Sequence, residues 1–340
     1  MACLGATGGA AATAAVMSLK REKSDIIAPS TTTTTAVTTT TATTSPAGIP
    51  PSAVFPSPSA PPATTTGGAP VDPAGLFQYG FPGPVADIAS RSALVSSYDR
   101  RTRNPYWVAE HITPDSLAMR EGDRKNSAFV EDDAVPPKFR ALLKDYYRSG
   151  FDRGHQVPAA DCKWSQRAMD DTFYLSNMCP QVGDGFNRDY WAHFEDFCRR
   201  LTVRYPSVRI VTGPLYLPQK DPADGKWYVK YEMIGSPPSV AVPTHFYKVI
   251  FAEDGKKDGN VAIGAFVLPN ARISNDRPIT EFEVPVEAVE RASGLEFATK
   301  LPVQRRRRLC TDTTCALVIK DYAERQKAFA KGDKKAIGGR

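Results

Sequence analysis

Hydrophobic and polar residues alternate in several short segments between residues 94 and 269, which is the pattern of β-strands with one buried face. Pro and Gly residues separate most of these segments. The first two flank the turn-forming sequence RRTRNP, so we expect them to form a hairpin. The predicted strands are 94–99, 106–112, 208–217, 226–235, 243–252 and 260–269, with a shorter segment of strand character at 173–178.

Helical patterns are fewer. The clearest begins near Asn187, where Trp191, Phe194, Cys198 and Leu201 recur at the three- and four-residue spacing of one helix face. We predict shorter helices at 141–148 and, at the end of the chain, at 316–331. Antiparallel strands with interspersed helices indicate an α+β domain rather than a parallel βαβ array.

Composition divides the chain into three parts. Residues 28–70 are mostly Thr, Pro, Ala and Ser, which offer little apolar surface to offset the entropy of ordering. We therefore predict a mostly disordered targeting or tether segment at 1–75, a folded domain at 76–301 and a basic, partly helical C-terminal extension at 302–340. The first nineteen residues are uncharged but too weakly apolar for a stable membrane span, and their role in targeting stays open.

Charge and cysteine content narrow the function only slightly. The formal net charge of +6 falls on the residues after 75, which suits a polyanionic partner but also many unrelated proteins. Six cysteines at irregular spacing, with no C-x-x-C pair, do not indicate a zinc knuckle or a dense disulfide framework. We expect free thiols, with a Cys310–Cys315 bridge as the alternative.

The sequence FDRGHQ places His155 two residues after Arg153. If this stretch is extended, both side chains point to the same side, and Gly154 lets the backbone approach a substrate closely. Phosphodiester cleavage needs a base with a pKa near neutrality, which histidine supplies at about 6.5, and positive charge for the transition state. On these three residues alone, a structural histidine remains the alternative.

The downstream sequence favours the catalytic interpretation. DRGH, LSN-x-x-PQ and N-x-x-x-W-x-x-x-E occur in that order, and together they resemble the DNA/RNA non-specific endonucleases of the ββα-metal type. MDDTFYLSN, VLPN and VERASGL resemble in particular the endonuclease G branch of that family, and the likeness extends over about 76–301. This resemblance implies a ββα-metal (His-Me finger) fold, in which an antiparallel sheet is packed with helices.

The resemblance also implies roles for individual residues. It makes His155 the general base and Asn187 the single protein ligand of one Mg²⁺ or Mn²⁺ ion, with Glu195 holding a metal-bound water. It makes Arg153 the residue that stabilises the phosphate charge and Asn177 a supporting polar residue. Eight helical residues would separate Asn187 from Glu195 by about 12 Å, so direct coordination by Glu195 is not expected.

Three further residues are candidates for substrate binding. Arg124 matches a substrate arginine of the family, with Lys125 as the alternative. Asp152 is expected to orient its loop or Arg153. Arg188 stands where the family commonly has glutamine, after a loop that is one residue longer than usual, and it could add a phosphate contact.

By this resemblance, the chain is a nuclease that hydrolyses DNA and RNA with little sequence preference and leaves 5′-phosphate ends. Phosphate contacts carry no sequence information directly, which agrees with weak specificity. The family further implies a homodimer in the mitochondrial intermembrane space that enters the nucleus during cell death. The alternatives are a non-catalytic nucleic-acid-binding protein and a metal-dependent phosphodiesterase of small nucleotides. The basic run at 305–308 is either a nucleic-acid contact, a targeting signal or a solvated surface.

Overall fold

The computed structural model of the protein describes residues 86–319. The predicted segment 1–75 lies outside the described residues, as does most of the predicted helix 316–331, and residues 316–319 are not helical. The described strands are β1 (Asp87–Ser90), β2 (Leu94–Asp99), β3 (Asn104–Ile112), β4 (Phe151–His155), β5 (Met178–Val182), β6 (Ser207–Leu215), β7 (Gln219–Lys220), β8 (Trp227–Tyr228), β9 (Met233–Ile234), β10 (Val240–Ala241), β11 (His245–Glu253), β12 (Val261–Pro269), β13 (Glu283–Val284) and β14 (Arg306–Arg308). The described α-helices are α1 (Pro114–Ala118), α2 (Gln166–Asp171), α3 (Tyr190–Leu201), α4 (Val286–Ser293) and α5 (Leu309–Asp312).

An eight-stranded sheet forms the centre of the described region. Its order is β1-β2-β3-β6-β11-β12-β13, all antiparallel, and β14 pairs in parallel with β12. The predicted hairpin is confirmed, because β2 and β3 pair directly. Three of the longer predicted strands, 208–217, 243–252 and 260–269, are also present as β6, β11 and β12.

Helices cover both faces of this sheet, which explains why β11 and β12 are buried along almost their whole length. Phe246 and Phe266 pack with α3 on one face, while Tyr247 and Val267 pack with α4 on the other. The four residues of the predicted stripe on α3 are buried in the first of these layers. The α+β class is therefore confirmed.

A ββα unit, whose helix α3 packs on the central sheet, carries the motifs. Strands β4 and β5 pair antiparallel, from Phe151 opposite Val182 to His155 opposite Met178, and a turn at Gly183–Asn187 leads into α3. Gly185 has a φ of 76°, so the helix begins at Tyr190 and not at Asn187. The estimate of about 12 Å between Asn187 and Glu195 was wrong in its premise, because it assumed one continuous helix.

Three other predicted elements differ from the structure. Residues 173–178 contain a 3₁₀ turn, Leu175–Asn177, before β5, and 141–148 contain only the 3₁₀ turn Leu143–Tyr146. The predicted strand 226–235 is interrupted, and only its two-residue ends pair, as β8 and β9. Its residues from 226 to 233 are all exposed, so the alternation there does not reflect one buried face.

The segment after residue 302 takes part in the same sheet and core. Strand β14 contains three residues of the basic run, and Leu309 is buried in the layer beneath α3. Arg306 donates to backbone carbonyls of Ala298 and Leu301, and Arg308 pairs with Glu283. These guanidinium groups therefore bind the domain itself.

The Cys310–Cys315 bridge, which was the alternative at the level of sequence, is formed. Cys162, Cys179 and Cys198 are free and buried. Within 86–319, we find no helix of the length and apolar character that a membrane crossing requires.

Candidate active site

The extended strand β4 places Arg153 and His155 on the same side, as predicted. The ring of Phe129 contacts both: its centre lies 4.2 Å from the Arg153 guanidinium and 5.7 Å from the centre of the His155 ring. Gly154 between them faces the other way. A Cβ atom there would lie 2.0 Å from Oε1 of the buried Gln181, so the glycine permits close packing by a neighbouring strand. The expectation that Gly154 serves substrate approach was wrong.

His155 lies in an aromatic pocket with only 8% of its surface exposed. The edge of Phe173 approaches the ring at a centroid distance of 4.9 Å, and Nε2 has no hydrogen-bond partner within the described residues. Burial, together with the positive charge of Arg124, lowers the pKa of His155 to about 3. The imidazole is therefore neutral at physiological pH, so one of its two ring nitrogens is able to accept a proton.

Asn177 fixes the chain immediately after His155. Its buried carboxamide accepts from the Val157 backbone N–H and donates to the Val157 carbonyl, both at 3.0 Å. It also donates to the Thr172 carbonyl at 2.8 Å. These bonds hold the end of β4, which carries His155, against the segment before β5.

The carboxylate of Asp152 orients Asn187. Its Oδ2 accepts from Nδ2 of Asn187 at 2.8 Å and lies 3.3 Å from Nε of Arg188. Because the amide nitrogen is engaged, the amide oxygen of Asn187 is the atom that can ligate a cation. A carboxamide oxygen is a hard ligand of the kind that magnesium accepts, with the remaining positions taken by water and phosphate oxygens.

The described residues, 86–319, hold no cluster of side chains typical of a metal centre with several protein ligands. There, no three His, Cys, Asp or Glu side chains come together in a way that could hold a metal ion. Such a cluster would be expected of the phosphodiesterase alternative.

Glu195 lies on α3 and is partly buried. Burial raises the pKa of Glu195 to about 7, although the positive charges of Lys248 and Arg199 act in the opposite direction. Arg124, whose charge affects the pKa of both His155 and Glu195, links the two positions electrostatically. Its guanidinium stacks 5.5 Å from the ring centre of Phe173.

A buried group of charges behind Glu195 was missed by the sequence interpretation. Lys248 is 1% exposed and donates to Thr212 at 2.8 Å, while Asp161 accepts from Arg199 at 2.7 Å. Glu110 lies among them, and burial raises its pKa well above the usual range. The signal in the sequence was Lys248, which interrupts a run of apolar and aromatic residues in HFYKVIFA.

An open cleft of about 470 Å³ gathers most of the predicted residues. Its lining contains Arg124 but not Lys125, which favours the first of the two alternatives. His155 and Glu195 are not part of the lining, but Phe129, which contacts both His155 and Arg153, is. The lining residues are Arg124, Phe129, Leu143, Tyr146, Tyr147, Arg148, Phe151, Asp152, Arg153, Asn187 and Arg188.

Comparison with known proteins agrees with this geometry. The sequence profile of the DNA/RNA non-specific endonucleases matches residues 72–304, more than half of the chain. The chain belongs to the DNA/RNA non-specific endonuclease family. The predicted resemblance is thus confirmed.

Relatives within this family are similar over most of their length. The mitochondrial nuclease of Saccharomyces cerevisiae is 61% identical over 256 residues, which is 74% of this chain and 78% of the relative. The human protein named endonuclease G, mitochondrial, is 47% identical over 226 residues, covering 66% and 74%. The crystal structure of an EndoG/EndoGI complex aligns with a TM-score of 0.63 at 47% identity, over 71% of this chain and all of that chain.

Membership of the endonuclease family decides between the functional classes. The chain is a metal-dependent endonuclease that acts on nucleic acid, and the non-catalytic alternative is set aside. The names of its relatives from Saccharomyces cerevisiae, Schizosaccharomyces pombe and Bos taurus support a mitochondrial location.

Proposed function

We propose that this endonuclease cleaves the phosphodiester bonds of DNA and RNA at the cleft, with His155 as the general base that takes a proton from the attacking water. The observation that carries the proposal is the unpaired Nε2 of a buried, neutral imidazole, held next to two arginines by a shared aromatic shelf. The shelf consists of Phe129 and Phe173, whose ring centres are 5.2 Å apart. A neutral histidine with a free nitrogen is the state that a general base requires.

The low pKa of His155 describes the substrate-free protein. A bound phosphate brings negative charge close to Arg124, and this charge opposes the effect of the guanidinium on the imidazole. Substrate binding therefore raises the pKa of His155 from its value of about 3 towards the range in which a general base is effective. His155 is therefore a stronger base in the substrate complex than in the free protein.

We assign the charge-stabilising role to Arg153, because it lies on the same side of β4 as His155 and lines the cleft. Arg124 and Arg188 line the same cleft and are assigned to substrate phosphates. Asn177 supports the base, and Asp152 orients Asn187 rather than Arg153.

Asn187 would hold one Mg²⁺ or Mn²⁺ ion through its amide oxygen. When bound, such an ion polarises the scissile phosphate and stabilises negative charge on the leaving oxygen. Glu195 is assigned to hold a water molecule of that site, and its raised pKa allows it to exchange a proton near neutral pH.

The finer properties rest on the family resemblance. We propose 5′-phosphate products, little sequence preference, a homodimer, and residence in the intermembrane space with nuclear relocation during cell death. Weak sequence preference also follows from a cleft whose charged lining is mostly arginine, because arginines there bind phosphates and not base edges.

Plasmid cleavage with Mg²⁺ or Mn²⁺ tests the base assignment. His155→Ala should lower kcat by about 10²- to 10⁴-fold and leave plasmid binding intact. The control is His111→Ala. His111 is exposed on β3, where its ring forms a hydrogen bond with Ser207. Equal cleavage by wild type and His155→Ala would remove His155 from the reaction.

A further inference from the structure

We propose that Tyr147 and Arg148 form a subsite for one unpaired nucleobase, so that single-stranded nucleic acid binds more tightly than duplex. This inference rests on the proposed function of the cleft, and it names the substrate class that the cleft selects. Both residues line the cleft together with Arg153 and Asn187.

The exposure of Tyr147 is the first observation. Its side chain is 71% exposed, which is the largest value for an aromatic residue among residues 86–319. The adjacent Tyr146 is only 6% exposed and packs in a cluster with Leu175 and Met178. Neighbouring tyrosines thus have opposite roles: one anchors the segment, and the other presents an apolar ring at the cleft, where a ligand could cover it.

The backbone holds Tyr147 in this position. The 3₁₀ turn ends at Tyr146, and Arg148 then adopts a φ of 53°, in the left-handed region that residues other than glycine seldom occupy. Strained backbone of this kind persists only where the surrounding structure supports it, and it concentrates at ligand-binding sites. The guanidinium of Arg148 lies 5.1 Å from the centre of the Tyr147 ring and adds positive charge beside it.

The charges of the cleft identify the ligand. Four arginines line it, Arg124, Arg148, Arg153 and Arg188, against the single carboxylate of Asp152. An aromatic ring among arginines is the arrangement that binds single-stranded nucleic acid, because phosphates pair with the guanidinium groups and a base stacks on the ring. In a duplex, both faces of each base are covered by neighbouring base pairs. Only an unpaired base can therefore use this subsite.

Steady-state cleavage of a labelled single strand and of its duplex, in Mg²⁺, tests the subsite. Tyr147→Ala should raise KM for the single strand about tenfold, the loss of one stacking contact, with kcat and both duplex constants within about twofold of wild type. Tyr147→Trp should restore the single-strand KM. The control is Trp227→Ala, because Trp227 is 60% exposed but does not line the cleft.

A strand with one abasic nucleotide beside the cleaved bond provides the second arm. The missing base should raise the KM of the wild type by the same factor as Tyr147→Ala does. It should not raise the KM of Tyr147→Ala further, because the two changes remove the same contact. An unchanged single-strand KM in Tyr147→Ala, or an equal loss on single strand and duplex, would overturn the inference. Full activity of His155→Ala would instead refute the proposed base and leave the stacking result to stand separately.

Discussion

The neutral state of His155 can be tested through protein stability as well as through catalysis. In the folded chain, the pKa of His155 is lowered to about 3, whereas an unfolded histidine titrates at about 6.5. Below about pH 6.5, the unfolded chain takes up a proton that the folded chain does not. Stability therefore falls as the pH decreases, and the contribution of this residue is lost progressively between about pH 6.5 and pH 3.

The size of the effect follows from these two values. Linkage gives a loss of about 2 kcal/mol between about pH 7.5 and pH 5 for this single group. His155→Gln is neutral throughout that range and removes the titration while keeping a polar side chain of similar size. We expect the wild type to lose about 2 kcal/mol more than the variant over this interval.

Urea unfolding of both proteins at about pH 7.5 and pH 5 measures this difference directly. The control is His111→Gln. Partial burial also lowers the pKa of His111, but solvent reaches its ring, so its pH-dependent difference should be smaller. If wild type and His155→Gln lost the same free energy of unfolding, the claim that folding holds His155 neutral would be refuted.

Two other substitutions test how the ββα unit is built. Asp152→Ala removes the acceptor that orients the carboxamide of Asn187, the proposed metal ligand. Cleavage should then require about 10- to 100-fold more Mg²⁺ and reach the wild-type rate at saturation. An unchanged Mg²⁺ titration would argue against this role. Gly154→Ala places a methyl group against the buried Gln181 and should lower the free energy of unfolding by about 1–3 kcal/mol, measured in urea, whereas adding Gln181→Ala should recover part of that loss. No loss in Gly154→Ala would show that β4 and β5 separate at little cost.

The sequence determined the elements whose pattern is local. The stripe of Trp191, Phe194, Cys198 and Leu201 predicted a helix face that is indeed buried, since a helix repeats its own geometry every few residues. The long strands and the hairpin were predicted from the two-residue alternation of a strand, which is equally local. The ordered motifs around DRGH likewise identified the endonuclease family, because each motif is a short contiguous string.

The tertiary structure alone decided which side chains meet. Phe129 lies 26 residues before His155 and Phe173 lies 18 residues after it, yet both rings pack against the imidazole. No local periodicity of the sequence predicts such contacts. The burial of Lys248 likewise depends on elements that are distant along the chain, and so does the hydrogen bond between Asp152 and Asn187. The failed strand 226–235 has the same physical cause, because alternation makes a long strand only where another strand and a second layer are present to pair with it and cover one face.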